Sequence, residues 1–491
     1  MNFQIRNSIF PMMIGFFIGG CAVGPDFHSP EPLKPEHYSN ELRDSDLDAA
    51  ERPKLVARES IPQQWWQMYE SEGLSQLVKR GLSNSPTLAA AKARLKSAQE
   101  TLDADTSFTL FPKVGASLNS SRRKISGATF GNAGNPRIFA VHNASVDVSY
   151  TVDAFGGGQR YLELGKAKVE FEALQLEASR QSLIANIVTA AIAEASLREQ
   201  IEATKAMISD ETSLLNLSEK KFEIGVIAKA DLLAQRTSLA QTRTLLPALQ
   251  KALAQMRHQL AMLTGVLPDN TDLPKIEMAK LVLPAEIPIT LPSTLTQRRP
   301  DVRAAEASLH QANAQVGVAT SNLYPKLALS ASYGTEVIKI ADLFNAGSAI
   351  WGMAAGLTQP IFRAGELRAR KRVAMANFDQ AAALYRQSVL SAFVDVADAM
   401  LAIEMDGRQL VLQQQAGALA VETLGIVREQ HKQGVVSYLG LLDAQKRYQQ
   451  TRINLIKARA AMLNDSAALI FSLGGDWQQK TTEQQTTENQ L

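Results

Sequence analysis

The chain states one architectural plan twice, and that duplication constrains the fold more than any other feature. Each copy runs through a helical segment, an aromatic-Pro-Lys step, two short alternating segments, a Gly turn and a very long helical pattern. In the first copy the landmarks are Pro86, Phe111-Pro112-Lys113, Phe155-Gly156-Gly157, Gly225-Val226 and Leu263-Thr264-Gly265. They recur as Pro300, Tyr324-Pro325-Lys326, Phe362-Arg363-Ala364-Gly365, Gly434-Val435 and Leu473-Gly474-Gly475. An offset of roughly 210 residues makes this two copies of one large unit, not a short-period solenoid.

The longest pattern runs from Gly158 to Ile224 with no proline and one glycine, Gly165. As a helix it measures roughly 100 Å at about 1.5 Å per residue, more than a globular core needs. Apolar residues return every three or four positions, as at Ile184, Ile187, Ala191, Ala195, Leu197 and Ile201, which suits helix-on-helix packing. A partner helix is expected from Lys229 to Leu263, with a kink or register break at Pro247. The second copy repeats this from Gly365 to Lys432, turns at Gly434 and returns to Phe471. A shorter helix pair is expected over Gly73–Phe108, broken at Ser85-Pro86.

Between these helices the period changes to two. Val114, Ala116 and Leu118 alternate with Gly115, Ser117 and Asn119, and Ala144, Val146, Val148, Tyr150 and Val152 alternate with Ser145, Asp147, Ser149, Thr151 and Asp153. A polar loop around Gly131–Pro136 joins the two strands. The second copy has Leu327, Leu329, Ala331 and Tyr333, then Trp351, Met353, Ala355 and Leu357 against Gly352, Ala354, Gly356 and Thr358. Four strands cannot close a barrel or hide their edges in lipid. A dimer would supply eight strands around packed side chains, a trimer twelve around a wet lumen. The expected lipid side carries Val146, Val148, Tyr150, Val152, Trp351, Met353 and Leu357, the expected lumen side Ser145, Asp147, Ser149 and Thr151.

The single cysteine, Cys21, follows Arg6, the apolar run Ile9–Ile18 and Gly19-Gly20, which read as a signal peptide over 1–20. Ile18-Gly19-Gly20-Cys21 resembles the bacterial lipobox, so Cys21 is the expected lipidation site, and Ala22 after it implies export to the outer membrane. Residues 21–72 read as a Pro-rich extended leader in which Trp65-Trp66 packs on the first helices. The repeats occupy 73–265 and 293–475, joined by a Pro-rich linker at 266–292, and the Gln/Thr-rich tail 476–491 reads as disordered.

A net charge of +2 with 20% charged residues leaves no basic footprint for nucleic acid. The six histidines form no helical metal-binding pair. Gly156-Gly157-Gly158 lacks the Lys-Ser/Thr of a phosphate loop and reads as a strand-to-helix turn. Asp395 and Asp398 read as a solvated helix face. No catalytic arrangement, cofactor or metal site is expected.

Several ordered motifs carry a resemblance: Cys21-Ala22-Val23-Gly24-Pro25-Asp26-Phe27, Arg298-Arg299-Pro300-Asp301-Val302, Tyr324-Pro325-Lys326, Gln359-Pro360-Ile361-Phe362 with Gly365, and Leu441-Leu442-Asp443-Ala444-Gln445. Together they resemble the TolC-like outer-membrane efflux factors, in their NodT/OprM-like lipoprotein branch. The resemblance implies a mixed α/β membrane protein: a homotrimer whose twelve-stranded β-barrel, four strands per chain, lies in the outer membrane and continues into a long α-helical periplasmic barrel. It implies a passive exit duct working with a periplasmic adaptor and an inner-membrane pump, commonly of the resistance-nodulation-division type, in a Gram-negative bacterium. By the same resemblance Ile224, Gly225, Val226, Gln433, Gly434 and Val435 are the adaptor-docking tips. Closure of the periplasmic aperture is open between a polar latch among Arg428, Glu429, Lys432, Tyr438 and Asp443 and an apolar constriction at Val435 or Val436. A pore-free coiled-coil lipoprotein is the alternative, but it gives no reason for paired strands at matching points of both copies. A periplasmic adaptor would carry a single helical hairpin, not two.

Overall fold

A computed structural model describes residues 22–31, 38, 53–57, 61–126, 137–269, 272–289 and 292–475. The signal segment, Cys21, the Gly131–Pro136 loop and the 476–491 tail lie outside these residues. The described chain divides into two compact units, one built from 94–172 and 305–385 with the first residues, the other from the remaining helical segments.

The first unit holds the four long strands. α2 (Pro86–Leu110) leads into β2 (Lys113–Ile125) and β3 (Arg137–Val152), which leads into α3 (Gly157–Glu223). α6 (Pro300–Ser321) leads into β5 (Lys326–Val337) and β6 (Ala349–Thr358), followed by α7 (Glu366–Lys432). The four strands form one antiparallel sheet in the order β2-β3-β5-β6, so the expected two hairpins sit side by side. Both outer strands are open edges. Small residues let the helices approach closely: Val316, Ala319 and Ala374 are buried together against Phe378.

The second unit holds the helical hairpins and the shorter helices α1 (Glu72–Asn84) and α5 (Pro292–Arg298). α3 and α4 (Lys229–Leu263) form one hairpin, α7 and α8 (Tyr438–Ser472) the other. α4 runs as one helix from Lys229 to Leu263 with Pro247 inside it, so the proline does not end the helix. Trp65 and Trp66 are buried as expected. Tyr69 is buried beside them, and its hydroxyl meets Ser466 Oγ at 2.8 Å, which satisfies a polar group the core would otherwise penalise. One element was not foreseen. The leader and the linker each contribute a short strand, β1 (Lys54–Ala57) and β4 (Glu286–Ile289), paired in parallel with Val56 opposite Pro288.

Candidate functional site

The sheet sorts its two faces by register. Directly opposed residues lie on one face, so the rows Ala116–Val146–Tyr333–Trp351 and Val114–Val148–Ala331–Met353 stack on the same side. Tyr150–Leu329–Ala355 and Val152–Leu327–Leu357 extend that side. The opposite side carries Ser117–Ser145–Gly334–Ile350, Gly115–Asp147–Ser332–Gly352 and Lys113–Ser149–Ser330–Ala354, so Ile350 is the one large apolar residue in these rows. Every residue expected toward lipid therefore shares one face and every one expected toward the lumen the other. Trp351 is 76% exposed and Met353 79%, two positions apart on the same face of β6, and clustered exposed apolar side chains mark an interaction or membrane surface.

The strands pass into α3 through Gly156, which sits at φ +71°, and the Asp153 carboxylate accepts the Gln159 amide at 2.9 Å, closing the helix start. Here the leader is clamped. Val23 N–H donates to the Phe155 carbonyl at 3.1 Å, continuing directly from the end of β3. The nearly buried Arg160 guanidinium pairs with Asp26 at 2.6 Å and Glu163 at 2.7 Å. Asn313 donates to the Pro25 carbonyl at 3.1 Å, and Phe27 stacks on His310 at 4.2 Å. Gly24 lies so close to Gly317 that a side chain on it would meet backbone. The Gly24-Pro25-Asp26-Phe27 motif thus has a built seat on α3 and α6.

In the second unit the two tips have the same backbone. At the first, Val226 N–H reaches back to the Lys221 carbonyl at 2.8 Å and Gly225 N–H to Phe222 at 2.9 Å. At the second, Val435 N–H reaches Gln430 at 2.9 Å and Gly434 N–H reaches His431 at 3.1 Å. Both are Schellman caps with the glycine left-handed, at φ +75° and +74°. Ile224, Val226 and Val435 project into solvent.

The expected polar latch is not assembled within one chain. Glu429 pairs with Lys432 at 3.1 Å and Asp443 with Arg447 at 2.8 Å, each along its own helix, while Arg428 is exposed. Val436 is half-buried and its carbonyl meets His431 Nδ1 at 3.0 Å. Tyr438 packs edge-on to His431 and faces Glu211 of α3, and its hydroxyl is pushed well above its usual pKa by burial and then by that carboxylate. Glu211, which the sequence did not single out, is buried and accepts the Thr242 hydroxyl at 3.1 Å. Burial pushes its pKa up, against the opposing pull of Thr242, Lys446 and Ser238. A signal for buried polar groups along these helices did exist: buried Gln235 and Gln445 occupy matching points of the two copies, as, farther along the helices, do the Glu194–Arg198 and Glu404–Arg408 pairs.

Asp395 and Asp398 are exposed, as expected, and Asp395 also pairs at 2.8 Å with the buried Arg299, which holds Asp301 at 2.7 Å and the Ser472 carbonyl at 3.2 Å. The Arg-Arg-Pro-Asp motif is therefore a structural lock. No described helix is long and apolar enough to cross a membrane.

An apolar-faced strand sheet and paired long helical hairpins define a strand-bearing membrane channel. Residues 77–266 and 291–475 match the family model described as "Outer membrane efflux protein". The pyoverdine export outer membrane protein OpmQ of Pseudomonas aeruginosa is 31% identical over 424 residues, 84% of this chain and 88% of that one. The probable efflux pump outer membrane protein TtgC of Pseudomonas putida is 28% identical over 481 residues, 95% of each chain. The solved structure of the outer-membrane channel OprN aligns with TM-score 0.86 at 26% identity, covering 94% of this chain and 100% of that one. The chain belongs to the outer membrane efflux protein family and is the outer-membrane channel of a tripartite efflux system in a Gram-negative bacterium. Its barrel-and-helical-tunnel fold is that of these channels, a family of ducts rather than of enzymes.

Proposed function

We propose that three copies of this chain close a twelve-stranded barrel and pass solutes outward without chemistry. The observation that carries this is the four-stranded sheet, apolar on one face and open at both edges. Unpaired strand edges are not tolerated in hydrocarbon, so β2 of one copy completes its ladder on β6 of the next. The apolar face then meets lipid, and the face of Ser145, Asp147, Ser149 and Thr151 lines the lumen. The two repeats, 73–265 and 293–475, each supply one hairpin of strands and one of helices.

Cys21 is lipidated in this reading. The seat of residues 22–27 begins at the Phe155 carbonyl, beside the end of β3, so an acylated Cys21 meets the membrane where the strands leave it. The tips at Ile224–Val226 and Gln433–Val435 dock a periplasmic adaptor, which couples the channel to an inner-membrane pump of the resistance-nodulation-division type. Aperture closure involves Tyr438 facing Glu211 and the apolar Val436, with the charges at Arg428, Glu429, Lys432 and Asp443 pairing around them.

Paired arginine substitutions test the barrel. Val148→Arg costs roughly 2–4 kcal/mol at the bilayer midplane and abolishes stable insertion, while Ser149→Arg inserts normally and changes conductance. Equal damage from both overturns the face assignment. Mass spectrometry of the mature amino terminus tests the anchor: an unmodified start at another residue rejects it.

A further inference from the structure

The β2–β3 hairpin overreaches its neighbour, and the overreach changes character. β3 is paired with β5 only as far as His142 opposite Val337, whereas the β2–β3 ladder continues from Ser121–Val141 to Ile125–Arg137. On the apolar face, Val152, Tyr150, Val148, Val146 and Ala144 run unbroken up β3 until His142, whose Nδ1 lies 2.9 Å from Ser120 Oγ. At about 3.4 Å per residue and a tilt of about 40°, Val152 to His142 climbs roughly 25 Å, the height of an outer-membrane apolar band. Beyond that break the next residues of β2 on this face are Arg122, opposite Ala140, and Lys124, opposite Ile138. Both are exposed. The nearest carboxylate on β5, Glu336, pairs with Asn143 and so belongs to the other face, as does Arg123 opposite Phe139.

We infer that Arg122 and Lys124 bind the phosphates of the phosphorylated glycolipid that forms the outer leaflet, lipopolysaccharide. The inference rests on the proposed orientation, apolar face to lipid and helices to periplasm. Two cations on the lipid side just above the apolar band stand at headgroup level, where their aliphatic stems cover apolar surface while the charges reach anionic oxygen. Two such charges add attraction toward an anionic surface, and a forked guanidinium suits phosphate bidentately. Inward-facing cations would serve the lumen, so the register, not the composition, makes this a lipid site.

The experiment uses the purified full-length channel in detergent, titrated with deep-rough lipopolysaccharide and, in parallel, with the enzymatically dephosphorylated lipid. The double variant R122A/K124A binds the phosphorylated lipid about thirtyfold more weakly, R123A changes affinity less than about twofold, and wild type binds the dephosphorylated lipid as weakly as the double variant. Unchanged binding by both R122A/K124A and R123A overturns the inference and leaves the orientation standing. Loss in R123A with retention in R122A/K124A overturns the orientation itself. Equal binding of both lipids by wild type removes phosphate as the recognised group. Gel filtration confirms that each variant assembles as wild type does.

Discussion

The tips and the roots of the two helical hairpins end in the same backbone geometry but in opposite surroundings. Gly225 and Gly434 close the tips, Gly265 and Gly474 the roots, all at positive φ between +69° and +90°. A side chain added at either tip would meet nothing within 4 Å. At the roots it would strike backbone, the Asn84 carbonyl below Gly265 and the Arg298 carbonyl 2.8 Å from the added carbon at Gly474. Glycine is thus required twice at a root, for conformation and for space, and once at a tip. The roots lock the repeats onto α1 and α5, while the tips keep their surface free.

That contrast breaks first on alanine. Gly265→Ala or Gly474→Ala costs roughly 3 kcal/mol, about 1 for the left-handed backbone and about 2 for the clash, read as a lowered thermal midpoint. Gly225→Ala and Gly434→Ala each cost about 1 kcal/mol. Equal losses at root and tip would show that space is not what separates them.

Function separates them in the other direction. Gly434→Asp leaves assembly intact, since the site is open, yet removes adaptor crosslinking, because a charge is introduced beside the exposed Val435. Retained crosslinking in the assembled variant refutes docking at this tip.

Buried carboxyls sharpen the same comparison. Toward the roots Asp465 is pushed up to about 7 by burial and then by the neighbouring Asp406 carboxyl, whereas Glu211 near the tips is raised but eased by its hydroxyl partners. A carboxyl whose folded pKa exceeds its unfolded one holds its proton better when folded, so its contribution is present at acid pH and is lost as pH rises from about 4 through about 7. Thermal stability therefore declines between pH 5 and pH 8, and Asp465→Asn flattens that decline. An unchanged slope would reject the assignment.

The smallest effect lies between the tips. Ser437 Oγ accepts the Gly440 amide at 3.4 Å at the start of α8, while Ala228 offers α4 no such cap. Ser437→Ala costs about 0.5 kcal/mol and Ala228→Ser gains about as much, measurable as hydrogen-exchange protection at the first turn. A symmetrical response to both exchanges would confirm that only the cap distinguishes the two starts.

Much of this arrangement is written locally. The expected bounds of α4 match the helix found because Gly225 and Gly265 punctuate it, and the expected grouping of residues onto two opposite faces holds because alternation over β3 is long. β2 runs past its alternation to Ile125 because Arg122 and Lys124 fall on the apolar face, so backbone pairing rather than hydropathy carries the strand's end. The β1–β4 pair could not be read from two proline-rich stretches whose partners lie far apart in the chain. Asp395 was invisible as an ion-pair partner for the same reason: its own helix gives no sign of Arg299. Tyr438 drew notice from its position by the turn, yet its environment depends on Glu211 of another hairpin.

The seat of the leader bears on the order in which the protein matures. Val23, Asp26 and Phe27 are held by Arg160 of α3 and His310 of α6, so these residues complete their contacts only after more than half of the polypeptide has followed. Contacts of such sequence separation form late, because loop closure precedes their reward. The docked leader therefore records that both repeats have come together. A chain whose second copy has failed to pack leaves Gly24-Pro25-Asp26-Phe27 without the His310 and Asn313 contacts that hold it.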